Sequence, residues 1–123
     1  MKYAWLLLLL IAASSCQGPS RNCERFQQGT FRFTATVDGA EQTTIFTRTE
    51  SLEVSEYLGE RDSASIRWIN PCEYIVTNLN PKDRSEEKPI HMKILSTTDN
   101  SYTFEYKLVG STQSSRGTAV KIK

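Results

Sequence analysis

The chain predicts an all-β fold, an antiparallel meander of seven or eight short strands that closes into a small up-and-down barrel or packs as a sandwich. Three observations carry this. From Phe31 onward apolar and polar residues alternate with period two, the signature of half-buried strands. Turn-forming segments interrupt the alternation at roughly the 8 to 12 residue spacing of sandwiches and barrels. No stretch after the N-terminus shows a helical apolar face. Closure into a barrel is the simpler of the two architectures, because it removes the exposed strand edges that invite aggregation.

The first element is residues 1–15. Lys2 supplies positive charge, Tyr3 to Ala13 an apolar stretch, and Ala13-Ser14-Ser15 small residues ahead of Cys16. That is the layout of an export signal. As a helix the apolar stretch would span only about 16 Å, half of the roughly 30 Å hydrocarbon core, so it does not serve as a lasting transmembrane span. A cysteine at the cleavage position resembles the lipobox of bacterial lipoproteins, although Ala13 stands where that family usually has Leu. The resemblance implies a mature N-terminus at Cys16 carrying acyl chains such as palmitate. Ordinary signal peptidase cleavage at Ala13-x-Ser15 is the alternative. Gln17, where inner-membrane retention signals have Asp, implies the outer membrane. The absence of an acidic cluster in Gln17 to Asn22 implies a domain facing the periplasm.

Residues 16–22 have no apolar side chain beyond Cys16 and read as a short tether of about 20 Å when extended. The remaining 23–123 form a single β domain. Three cysteines in an exported chain leave one unpaired unless Cys16 is acylated, which leaves Cys23 and Cys72 as an even pair. A bridge between them in an oxidising periplasm would close a loop of about 49 residues and stabilise a small domain by roughly 4 kcal/mol. Two separately buried thiols are the alternative.

The strands follow in order. Phe31, Phe33, Ala35 and Val37 share one face while Thr30, Arg32, Thr34 and Thr36 share the other; Asp38-Gly39 then supplies a tight reversal. Thr43 to Thr49 completes a hairpin. Further runs are Leu52 to Leu58, Ala64 to Ile69, Cys72 to Leu79, Ile90 to Leu95, Tyr102 to Val109 and Thr118 to Ile122. The turns fall at Gly59 to Asp62, Asn80 to Lys88, Thr98 to Ser101 and Gly110 to Arg116. Asn70-Pro71 marks either a loop or a bulge, because proline cannot donate to a ladder. The many Ser and Thr residues suit the solvent side of strands.

In architecture such a meander resembles lipocalin-like barrels. Their Gly-x-Trp signature is absent, since Gly29-Thr30-Phe31 has Phe in the place of Trp. A more specific resemblance lies in Cys23-x-x-Phe26-x-x-Gly29-x-Phe31, Thr47-Arg48 and Ile66-x-Trp68-Ile69-Asn70-x-Cys72-Glu73-Tyr74. This pattern resembles a family of short exported Bacteroidota lipoproteins of uncharacterised function. It covers Cys23 to Tyr74, and Pro71 departs from the polar residue expected there.

Composition excludes several functions. Without Lys2 the chain carries equal numbers of basic and acidic residues, so it lacks the basic footprint of a nucleic-acid binder. His91 is the single histidine, and no cysteine pair has zinc spacing, which argues against a metal centre or other cofactor. There is no Gly-x-Ser-x-Gly elbow and no glycine-rich phosphate loop. Glu53 and Glu56 differ in parity and would leave a strand on opposite faces, a poor arrangement for a glycosidase pair. Lys82 to Lys88 mixes both signs and reads as a solvated hairpin tip. Arg48, Arg67 and Glu73 read as an exposed charged cluster. Trp68, Tyr74, Tyr102, Phe104 and Tyr106 either fill the core or line a ligand cavity, since an eight-stranded barrel holds side chains or one small ligand. The chain is therefore expected to be a non-enzymatic, membrane-tethered envelope module that binds or assists another envelope protein. The alternatives are an inhibitor of a periplasmic enzyme such as lysozyme, or a carrier of a small apolar ligand. The first alternative lacks the Ser-Gly loop motif of small lipoprotein lysozyme inhibitors, because Gly110-Ser111 reverses that order.

Overall fold

A computed structural model describes residues 21–123. The signal segment 1–15, the lipidation candidate Cys16 and the first part of the tether lie outside the described residues. A single 3-10 turn, Cys23–Phe26, leads into eight strands: β1 Gly29–Val37, β2 Ala40–Arg48, β3 Leu52–Tyr57, β4 Glu60–Asn70, β5 Glu73–Asn78, β6 Ile90–Thr97, β7 Ser101–Leu108 and β8 Ser115–Lys121. Each strand pairs antiparallel with its neighbours in sequence, and β1 pairs with β8, so the meander closes into a barrel.

The barrel has two unlike ends. At one, here termed the base, lie the 3-10 turn, the connections β2–β3, β4–β5 and β6–β7, and the C-terminus; at the other, the mouth, lie the remaining four connections. The chain enters at the base, where Arg21 Nη1 donates to the Ile94 carbonyl at 3.4 Å and the Asn22 N–H donates to Thr97 Oγ1 at 2.8 Å. Cys23 and Cys72 are bonded, their Cα atoms 5.2 Å apart, which ties the 3-10 turn to the β4–β5 connection. Pro71 sits in that connection, exposed, and the register of β4 against β5 shifts between Trp68 and Asn70. Both of the roles left open for Asn70-Pro71, a loop and a bulge, are thus present side by side.

Register follows from which residues must be covered. Phe31 lies opposite Phe46, and Phe33 opposite Thr44, so the β1 phenylalanines and the even positions of β2 face inward together. The outer face carries threonine pairs, Thr30 with Thr47, Thr34 with Thr43 and Thr103 with Thr118, whose hydroxyls lie 3.2 to 3.3 Å apart. Two mouth connections are two-residue reversals with positive φ at both positions: Asp38 and Gly39 at 51° and 80°, Leu58 and Gly59 at 50° and 79°. These are the type I′ geometry that matches strand twist. At the base, Gly29 adopts φ 137°, and a Cβ there would meet the Lys123 carbonyl oxygen at 2.8 Å. Only glycine lets the C-terminus cross β1 that closely, and the Thr30 N–H donates to the same carbonyl at 3.1 Å.

Several expected boundaries are corrected. Glu60 to Asp62, read as turn, begin β4, because the hairpin ladder runs to its Leu58-Gly59 reversal and pairs Glu60 with Tyr57. β2 begins at Ala40 for the same reason. β8 begins at Ser115, paired with Tyr106, and not at Thr118. The 3-10 turn was not expected from sequence.

Candidate functional site

The interior is filled unevenly. Inward positions near the base carry Phe31, Phe46, Arg48, Tyr74, Ile94 and Tyr102, all buried. The Phe26 side chain closes the base from below, fully buried, with its ring centroid 5.4 Å from that of Tyr102. Nearer the mouth, large inward side chains on β1, β6 and β7 face small or polar ones on the opposite wall: Thr44 on β2, Ser55 on β3, Asp62 and Ala64 on β4 and Asn78 on β5. The upper half of the barrel is therefore incompletely filled and holds a hollow.

Two adjoining depressions open there. One, of about 300 Å³, is walled by Phe33, Phe46, Met92, Phe104 and Tyr106. The other, of about 340 Å³, runs beneath the long β5–β6 connection and is bordered by Ala64, Val76, Asn78, Glu86 and Lys88. Glu53, Ser55 and Ile90 line both. Each volume is at the lower end of the range typical of small-molecule sites, roughly 300 to 1,000 Å³, and apolar walls with a few polar groups are the usual composition of such sites.

Arg48 forms the floor, and its role differs from the exposed cluster expected of it. It is 2% exposed and points inward beside Phe46. Its Nη1 donates to the Phe26 carbonyl at 2.8 Å, Nη2 donates to the hydroxyls of Tyr74 and Tyr102 at 2.8 and 3.0 Å, and Nε donates to Glu53 Oε2 at 3.0 Å. The rings of Tyr74, Phe31 and Phe46 lie 4.7, 5.0 and 5.4 Å from its Cζ. Burial alone disfavours the guanidinium charge, but the Tyr74 and Tyr102 oxygens and the Glu53 carboxylate more than offset this and raise its pKa. Burial pushes both tyrosines above their ordinary value against the pull of Arg48, so they stay neutral and join the 3-10 turn, β2, β5 and β7 through one cation. Arg67 is exposed on the outside, and Glu73 pairs there with Lys93 at 3.8 Å, so these two residues do not join Arg48.

The five aromatic candidates separate into three roles. Tyr74 and Tyr102 are core at the closed base, Phe104 and Tyr106 line the hollow, and Trp68 packs at a tilt against Tyr74, ring centroids 4.5 Å apart, beside a base depression with Gln27 and Pro71. Phe104 reaches the hollow because Gly117 opposite it has no side chain; a Cβ there would meet Phe33 at 2.6 Å and Phe104 at 2.9 Å. Ser55 and Met92 belong to the site and were not singled out from sequence, and Glu53, weighed there only as half of a glycosidase pair, belongs to it as well. Their signal is the inward parity of β3 and β6, which becomes readable only with the register. Glu53 and Glu56 do face opposite ways, and His91 is on the outer face between Ile75 and Lys107. Set against models of known protein families, curated proteins and solved structures, the chain matched none.

Proposed function

We propose that this chain is a non-enzymatic binding module of the bacterial cell envelope that holds a small, largely apolar ligand in the mouth of its barrel. The hollow carries the reading: a closed base, an aromatic and methionine wall, and small residues where a filled barrel would place large ones. A barrel selected only for stability gains by filling such a space, since each missing contact forfeits packing energy. The N-terminal signal and Cys16 support attachment to the outer membrane by lipid, with the domain in the periplasm.

Displacement of a bound hydrophobic fluorophore from the purified protein tests the reading. Ser55→Leu projects a large side chain into both depressions from a position with no role at the base. The expected outcome is at least a tenfold loss of fluorophore affinity with an unchanged circular dichroism spectrum. Equal binding by the variant and the unsubstituted chain, or no binding by either, would overturn the reading.

A further inference from the structure

Resting on that reading of the hollow, we infer that its ligand presents a hydrogen-bond-donating, cationic head, a protonated amine on an apolar or aromatic body, and that carboxylates are excluded. The floor decides this. Arg48, the cation at the floor, directs four of its five N–H donors to a backbone carbonyl, two tyrosine oxygens and Glu53, and it is 2% exposed. It has no fork left for an incoming anion. Glu53 spends only Oε2 on Arg48; its Oε1 accepts no hydrogen bond from the described residues, and the side chain is 19% exposed where the two depressions meet. The floor thus offers an acceptor in a cavity lined also by the aromatic rings of Phe33, Phe104 and Tyr106, side chains that can take an ammonium as well as an apolar body. Along the second depression the charged lining is Glu53, Asp62 and Glu86 against Lys88 alone, so the field there also favours a cation.

Three probes of nearly equal size separate the possibilities when titrated into the protein by NMR: phenethylamine, 2-phenylethanol and 3-phenylpropanoate. The expected order is amine, then alcohol, then carboxylate, with at least a tenfold gap between first and last. Asp62→Asn with Glu86→Gln, which leaves the Arg48 floor intact, should narrow that gap about threefold, and Glu53→Gln should remove most of it. Because Glu53→Gln also touches Arg48, its fold is checked by circular dichroism, and the comparison on the unsubstituted protein stands without it. Equal binding of all three probes, or preference for the carboxylate, overturns the inference and leaves the cavity reading in place. No binding by any probe, together with no bound fluorophore, overturns both.

Discussion

Arg48 shows how one residue changes meaning with its register. By composition it is a charged residue on a strand, and such residues are exposed far more often than buried. The run Ile45-Phe46 is apolar at both parities, so the sequence alone does not say which face of β2 is inward. Pairing with β1 decides it, because Phe31 and Phe46 stack at 5.2 Å and carry Arg48 inward with them. Once inside, the guanidinium is held by charge-assisted bonds that only function together. Arg48→Ala leaves Glu53 and two buried hydroxyls without their donor and should cost about 3 to 5 kcal/mol, read as a lower urea midpoint. The tyrosines add a pH dependence. Unfolded, they ionise near 10.0, whereas in the folded chain burial holds Tyr74 and Tyr102 above that value. Above pH 10 the unfolded state therefore releases protons that the folded state keeps, and stability falls as pH rises. Below that pH these groups contribute their full stabilisation and no slope. Urea midpoints across this range should show the fall, and Tyr74→Phe should flatten it; a profile equally steep in the variant would assign the alkaline loss to other groups.

At the level of elements, much was legible because local chemistry and global topology agree. The alternation located all eight strands, Asp38-Gly39 the first reversal, and cysteine parity the bridge from Cys23 to Cys72. The misplaced boundaries share one cause. Charged residues near the mouth, such as Glu60, Arg61 and Asp62, look like turn, yet their backbones still complete ladders with β3. The 3-10 turn is short, has no side-chain cap and owes its place to the bridge at Cys23 and to Phe26 beneath the barrel, neither of which leaves a local pattern. Leu58 is the reverse case, a residue at odds with its conformation. It holds φ 50° in a type I′ reversal and is 73% exposed, so it gives up backbone comfort without burying its side chain. Asparagine is the favoured residue at this position of an X-Gly reversal. Leu58→Asn should stabilise the chain by about 0.5 to 1 kcal/mol, measured as a higher urea midpoint. A lower midpoint would show that the leucine side chain makes a contact worth more than the strain.

For the molecule as a whole, the barrel was legible and its hollowness was not. Counting aromatic residues left a filled core and a ligand cavity both open, because a count does not say at which height along the barrel each ring lies. Height is set by the stagger of the strands, which places Tyr74 and Tyr102 low, Tyr106 high, and Ser55 and Ala64 where the upper layer would need bulk. The same polarity fixes how a tethered copy would stand. The described residues begin at the base with Arg21 and Asn22 bonded to β6, so the proposed lipid on Cys16 would bring the base to the bilayer. β1 and β6, of 9 and 8 residues and tilted as barrels require, then set the mouth roughly 20 Å further out. A ligand would reach the hollow from the aqueous compartment or from a facing protein, and not by sliding sideways out of the membrane. Fluorophores placed through Asp99→Cys in the β6–β7 connection at the base and Asp38→Cys at the mouth report this directly on vesicles carrying a headgroup quencher. The base label should be quenched strongly and the mouth label weakly, with ligand affinity the same on vesicles as in detergent. Stronger quenching at Asp38→Cys would mean that the barrel stands inverted, its mouth on the bilayer, and that the ligand is drawn from lipid.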